Sequence, residues 1–232
     1  MIALEISQHW FHGKDLFIDF FSLFVLIILT FFSLRTFKFT KLDKFKNLSV
    51  GFLMLSFSFL FKIFTNFTVY YKEVIERSFG GAIISLATWQ SINLFDISHT
   101  LYHISGLIGV LIIYFVYSEE VKKSTKILVT YLVFLLCFLS FHNYYVFHLV
   151  SFIFFILLSN FYFDKYIRNE NKNTYLLFLS FLMISISQVS FIFVGFDNLL
   201  YVIGKIIQLI GFIIILLVIL RIQGVLFGKE KK

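Results

Sequence analysis

Seven apolar runs dominate this chain, at residues 16–35, 47–70, 96–117, 125–141, 143–163, 174–195 and 198–221. Each is close to the roughly 20 residues that an α-helix needs to cross hydrocarbon. A backbone that crosses lipid must satisfy its N–H and C=O groups within the segment or in a closed barrel, and runs of this length do so as helices. The pattern predicts an all-α fold, a polytopic membrane bundle of seven transmembrane helices with the lipid bilayer as its solvent. Hydrophobic residues make up 59% of the chain and charged residues 14%, which fits that class. The fourth run is the shortest, because its apolar stretch covers Ile127 to Phe141 and only His142 and Asn143 separate it from the fifth. One long helix there would change the parity of the topology.

The charge pattern argues against that change. A formal charge of +7 would suggest nucleic acid as the partner of a soluble protein, but here the basic residues sit in short loops, where they report orientation. Arg35, Lys38, Lys41, Lys44 and Lys46 lie in the first loop, Lys122, Lys123 and Lys126 in the third, Lys165, Arg168 and Lys172 in the fifth, and Arg221, Lys229, Lys231 and Lys232 in the tail. With seven spans these all share one side, leaving Lys14, Lys72 and Arg77 on the other and Lys62 and Lys205 within helices. The N-terminus is therefore expected outside and the C-terminus in the cytoplasm of a multi-pass cell-membrane protein, with no nucleic acid as partner.

The opening stretch "MIALEISQHWFHGKD" has neither a charged n-region nor a small-residue cleavage site, so no cleaved signal peptide is expected. Trp10 and Phe11 read as interface anchors. Cys137 is the only cysteine, which excludes an intrachain disulfide.

Sliding the chain on itself by 129 positions pairs "FLMLSFSFLFKIF" (52–64) with "FLMISISQVSFIF" (181–193), identical at seven of thirteen positions. The same offset pairs Asp15, Asp19 and Ser22 with Tyr144, His148 and Ser151. An offset of 102 pairs the third helix with the seventh, "HTLYHISGLIG" (99–109) with "YVIGKIIQLIG" (201–211). This predicts a 3+1+3 parallel internal repeat within a single transmembrane domain over 1–232. Residues 1–118 form the first three-helix repeat with an inserted outer loop at 71–95, 119–142 a connector helix, 143–222 the second repeat, and 223–232 a short cytoplasmic tail. In the insertion, Gly80, Gly81 and the run ending at Trp89 read either as an interfacial or re-entrant half-helix or as a plain loop.

The three-plus-one-plus-three order resembles that of the SWEET-type sugar transporters, in helix order only, since their proline-glutamine signature has no counterpart in a chain without proline. The segments "FLMLSFSFLFKIFTN" and "YVIGKIIQLIGFIIILL" are similar to those of small seven-helix membrane proteins of archaeal type, a resemblance that implies no activity.

Candidate functional residues follow from polar positions inside the runs. Asp96, His99, His103 and Gly106 fall on one helical face, matched by Asn198, Tyr201, Lys205 and Gln208. Asp19, His148, Lys62 and Gln188 add ionisable and amide groups in the same outer half. A lysine facing lipid there costs about 2.5–3.5 kcal/mol, so Lys205 is expected to face the bundle with a partner or water. The alternative has His99 and Asp96 at headgroup level and Lys205 snorkelling outward. On the first reading, His103 and Lys205 line one outward-open cavity that binds or transports a small solute. A membrane sensor acting through a cytoplasmic signalling partner fits the same pattern, and a homo-oligomer fits either.

A metal-dependent hydrolase is the lesser alternative. His99 and His103 resemble half of the zinc site in seven-helix membrane hydrolases of the ceramidase kind, and His148 would be a third ligand, but the rest of that pattern is missing. Haem ligation by His103 and His148 has no other support in the sequence. Retinal is disfavoured because Lys205 lies toward the outer end of its helix and His103, not a carboxylate, occupies the matched level. No cofactor is expected, no catalytic signature is present, and the reading leans against an enzyme.

Overall fold

A chain without proline has nothing in its apolar runs to block a helix, and every run is helical in the computed structural model. It describes residues 11, 13–78, 84–118 and 122–229. Among these the elements are α1 (Lys14–Thr40), α2 (Asp43–Ser78), α3 (Ile84–Tyr117), α4 (Lys123–His142), α5 (Tyr144–Asn169), α6 (Lys172–Ile192) and α7 (Leu199–Lys229). All seven contain a stretch long and apolar enough to cross a membrane.

The breaks between them have local causes. α1 and α5 end where Lys41 and Glu170 adopt left-handed φ values of 57° and 49°, closing the last turn with a backbone N–H to the carbonyls of Phe37 and Tyr166. α6 starts at Asn171, whose side-chain oxygen accepts from the N–H of Asn173 at 2.9 Å. Asn143 is extended, with φ −134° and ψ 93°, so α4 and α5 are separate helices.

α1 packs on α2 and α2 on α3, just as α5 packs on α6 and α6 on α7. The two groups meet where α1 touches α7 and where α3 touches α5, while α4 leans on α3 and α5 from outside. Only 11% of the spanning window of α4 is buried. Large side chains such as Phe17, Phe31, Phe134 and Phe138 face outward, and small hydroxyl residues such as Ser22, Ser58, Ser151 and Ser185 face inward. Many of these inward hydroxyls donate to the carbonyl one turn back, as Ser22 does to Ile18 at 2.8 Å and Ser56 to Phe52 at 2.9 Å, which satisfies them without a partner helix.

Two expectations change. The insertion at 71–95 is neither a re-entrant helix nor a plain loop over its described part: α2 continues to Ser78 and α3 begins at Ile84. At 1.5 Å per residue, the 36 residues of α2 span about 54 Å, well beyond a hydrocarbon core of roughly 30 Å. Gly80 and Gly81 lie outside the described residues. Phe11 is not an interface anchor but is buried against Ile18, Phe191, Val194 and Tyr201, and Trp10 lies outside the described residues.

Candidate functional site

Ionisable side chains gather at the end of the bundle where the spans of α1, α3, α5 and α7 begin, here called the polar end. Asp15 and Asp19 lie one turn apart on α1, both essentially inaccessible. Asp15 Oδ1 accepts from the backbone N–H of Gly13 at 3.1 Å and of Leu16 at 2.9 Å, tying down the start of the helix. Gly13 has φ 83°, a conformation that L side chains rarely adopt.

Asp19 is held on both oxygens. Lys205 Nζ of α7 donates to Oδ1 at 2.5 Å, and Asn66 Nδ2 of α2 donates to Oδ2 at 3.2 Å. Both partners of the ion pair have 0% exposure, so Lys205 neither snorkels nor faces lipid. One turn earlier on α7, Tyr201 donates its hydroxyl to Asp15 Oδ2 at 3.3 Å. The i, i+4 spacing of both helices therefore makes two rungs between α1 and α7. Lys62 of α2 reaches the Tyr102 hydroxyl at 3.3 Å and stands 5.0 and 5.2 Å from the ring centres of Tyr102 and Phe191, whose π-faces attract its charge.

The α3–α5 junction holds the imidazoles. His103 is stacked on Phe147 at 4.4 Å and lies 4.2 Å, ring to ring, from His99. His148 Nδ1 donates to the amide oxygen of Gln188 at 2.8 Å, across α5 and α6. His103 and His148 are buried, whereas Asp96 and His99 are half-buried toward the end of the bundle.

Farther in, a cavity of about 50 Å³ lies between the two groups of helices, bordered by Ser58, Tyr102, Gly106, Ser151, Gln188 and Gln208 among others. Gln208 Oε1 is buried there with no hydrogen-bond partner among the described residues, a cost of about 1–3 kcal/mol for an amide acceptor left dry. A site of that size admits water but not a sugar or an amino acid, which need pockets of several hundred Å³.

Of the expected site residues, Asp19 and Lys205 come together, as do His148 with Gln188, His99 with His103, and Gln188 with Gln208 at the cavity. His103 and Lys205 do not share that cavity: neither borders it, because α1 draws the amine to Asp19 while Phe147 covers the imidazole. Among the described residues no three His, Cys, Asp or Glu side chains stand close enough to hold a metal ion, so His99, His103 and His148 do not form a ligand set. Asp15, Asn66 and Tyr102 join the network without having stood out as site residues, and Tyr201, already on the expected polar stripe of the last helix, joins it too. Tyr201 carried a signal, since it lies one turn from Lys205 on the same face. Asn66 carried only its position one turn beyond Lys62. Set against known proteins, the chain matches no family model, no curated protein and no solved structure.

Proposed function

We propose that this is a membrane transporter for a small polar solute, built from two parallel three-helix repeats, with its N-terminus outside, and that the Asp19–Lys205 pair latches the two repeats together at the polar end. The observation that carries the reading is the ion pair itself, fully buried and joining the first helix of one repeat to the last helix of the other. Buried ionisable pairs inside membrane spans are expensive, and they recur where ions, protons or solutes are handled.

The duplication is supported by contacts that recur at equivalent positions. A Cβ on Gly109 would come within 2.9 Å of Leu55 Cγ and backbone N and 3.0 Å of the Gly51 oxygen. One on Gly211 would meet Ile184 Cγ1 at 2.7 Å, the Ser180 oxygen at 3.1 Å and the Ile184 nitrogen at 3.4 Å. Leu55 and Ile184, like Gly51 and Ser180, are 129 apart, and the two glycines are 102 apart, the offsets of the sequence repeat. Lys62 touching Tyr102 likewise corresponds to Phe191 touching Gly204. Under this symmetry the α1–α7 and α5–α3 junctions are equivalent, and both carry ionisable groups. A solute larger than water needs one of them to open, and opening the first means separating Asp19 from Lys205.

The test is flux in proteoliposomes loaded with a pH-sensitive dye and offered sugars, amino acids and small carboxylates in turn, under an imposed proton gradient. At least one class should accelerate dye response over empty liposomes, and Asp19→Asn should remove that acceleration while Lys38→Gln keeps it. A solute that binds without flux would favour the sensor, and no response to any class would overturn the transporter.

A further inference from the structure

We infer that the opposite end of the bundle carries a binding site for a phosphate-bearing anion, in the hollow between the start of α2 and the ends of α3 and α5. The hollow has a volume of about 740 Å³, large enough for a phospholipid headgroup or a nucleotide-sized solute. Lys44 enters it from the first turn of α2, and Lys165 and Arg168, one turn apart, enter it from the last turns of α5. Among the described residues, three cations and one carboxylate, Asp164, stand on the lining.

Loop cations that only orient a chain in the membrane need a side, not a shared hollow. Here the wall beneath them also supplies hydroxyl donors. Ser118 lines the hollow, and its buried Oγ has no hydrogen-bond partner among the described residues. Beside it, the hydroxyls of Tyr117 and Tyr162 share one hydrogen bond of 2.5 Å. Two hydroxyls with one bond between them leave one hydrogen over for a third acceptor, and Tyr117 is on the lining. Three cations above hydroxyl donors suit a ligand with several anionic oxygens on one centre: ammonium groups neutralise it, the guanidinium binds two oxygens at once, and the hydroxyls take the others. A carboxylate offers only two oxygens and one charge. The site stands independently of the transport reading, since no residue of the polar end takes part.

The phosphate could belong to a lipid or to a free solute, and two arms separate them. In phosphatidylcholine nanodiscs, pyrophosphate is titrated against wild type, the triple variant Lys44→Gln/Lys165→Gln/Arg168→Gln, and a charge-matched triple, Lys38→Gln/Lys123→Gln/Lys172→Gln, whose positions do not line the hollow. In mixed phosphatidylglycerol and phosphatidylcholine nanodiscs, retained lipid is counted by native mass spectrometry. In at least one arm the pocket triple should weaken binding about tenfold or more and the matched triple by no more than about twofold. Ser118→Ala keeps every charge and should still weaken that same binding by about tenfold, the low end of what loss of one hydrogen bond to a charged ligand costs. Equal losses in the two triples in both arms, or an unchanged Ser118→Ala, would mean general surface charge and overturn the site. Acetate competing as well as phosphate would overturn its chemistry.

Discussion

Gly109 of α3 lies against the backbone of Leu55 on α2, so close that a Cβ would stand 2.9 Å from the Leu55 nitrogen. Only hydrogen fits between the two helices at that crossing, as in other close-packed membrane helix pairs. Gly109→Ala should lower thermal stability in detergent by about 1–3 kcal/mol, overpacking outweighing the better helix propensity of alanine. Gly211→Ala should behave alike, its Cβ meeting Ile184 Cγ1 at 2.7 Å. Gly195→Ala is the control, because its Cβ would meet only the hydroxyl end of Tyr144. Melting curves in which Gly195→Ala is the worst of the three would contradict this packing.

Separating Asp19 from Lys205 leaves one charge stranded. Lys205→Leu or Asp19→Leu alone should destabilise by about 3–5 kcal/mol, and the double substitution should recover most of that loss, because leucines need no partner. A double-mutant cycle on thermal unfolding measures it. An additive double variant would mean that the two residues do not depend on one another.

Gln208 separates stability from function. Replacing it by leucine removes a buried acceptor that has no partner among the described residues, so Gln208→Leu should raise the melting temperature, worth about 1–2 kcal/mol. If the cavity belongs to the solute path, the same variant should lose flux in the proteoliposome assay. A variant both less stable and fully active would contradict both expectations.

Orientation is checked by labelling single cysteines in a Cys137→Ser background with a membrane-impermeant maleimide. Lys44→Cys and Arg168→Cys should label from one side, and Arg77→Cys from the other. Labelling of positions 44 and 168 from opposite sides would break the parity of seven spans.

Much of the architecture was legible because lipid imposes simple rules. Twenty apolar residues without proline have one way to satisfy their backbone, so all seven helices could be drawn, including the short α4. The inward face of Lys205 followed from the cost of placing an amine in lipid. Its partner did not, because Asp19 sits one turn inside α1, where a carboxylate at headgroup level would look the same, and nothing local links it to α7. Likewise, residues 71–78 read as loop because their charges break the apolar pattern. A helix that has left the membrane needs no such pattern, and α2 continues through them.

The two members of the buried pair are 186 residues apart in sequence. At roughly 5–20 residues per second, a ribosome takes on the order of 10–40 s to make the chain between them. During that interval α1 is in place before its cation exists, with Asn66 of α2 the earliest group to reach the carboxylate. Asp19 then makes the arrival of the last helix the event that completes the first, and a nascent bundle halted before α7 should be recognised as unfinished and degraded.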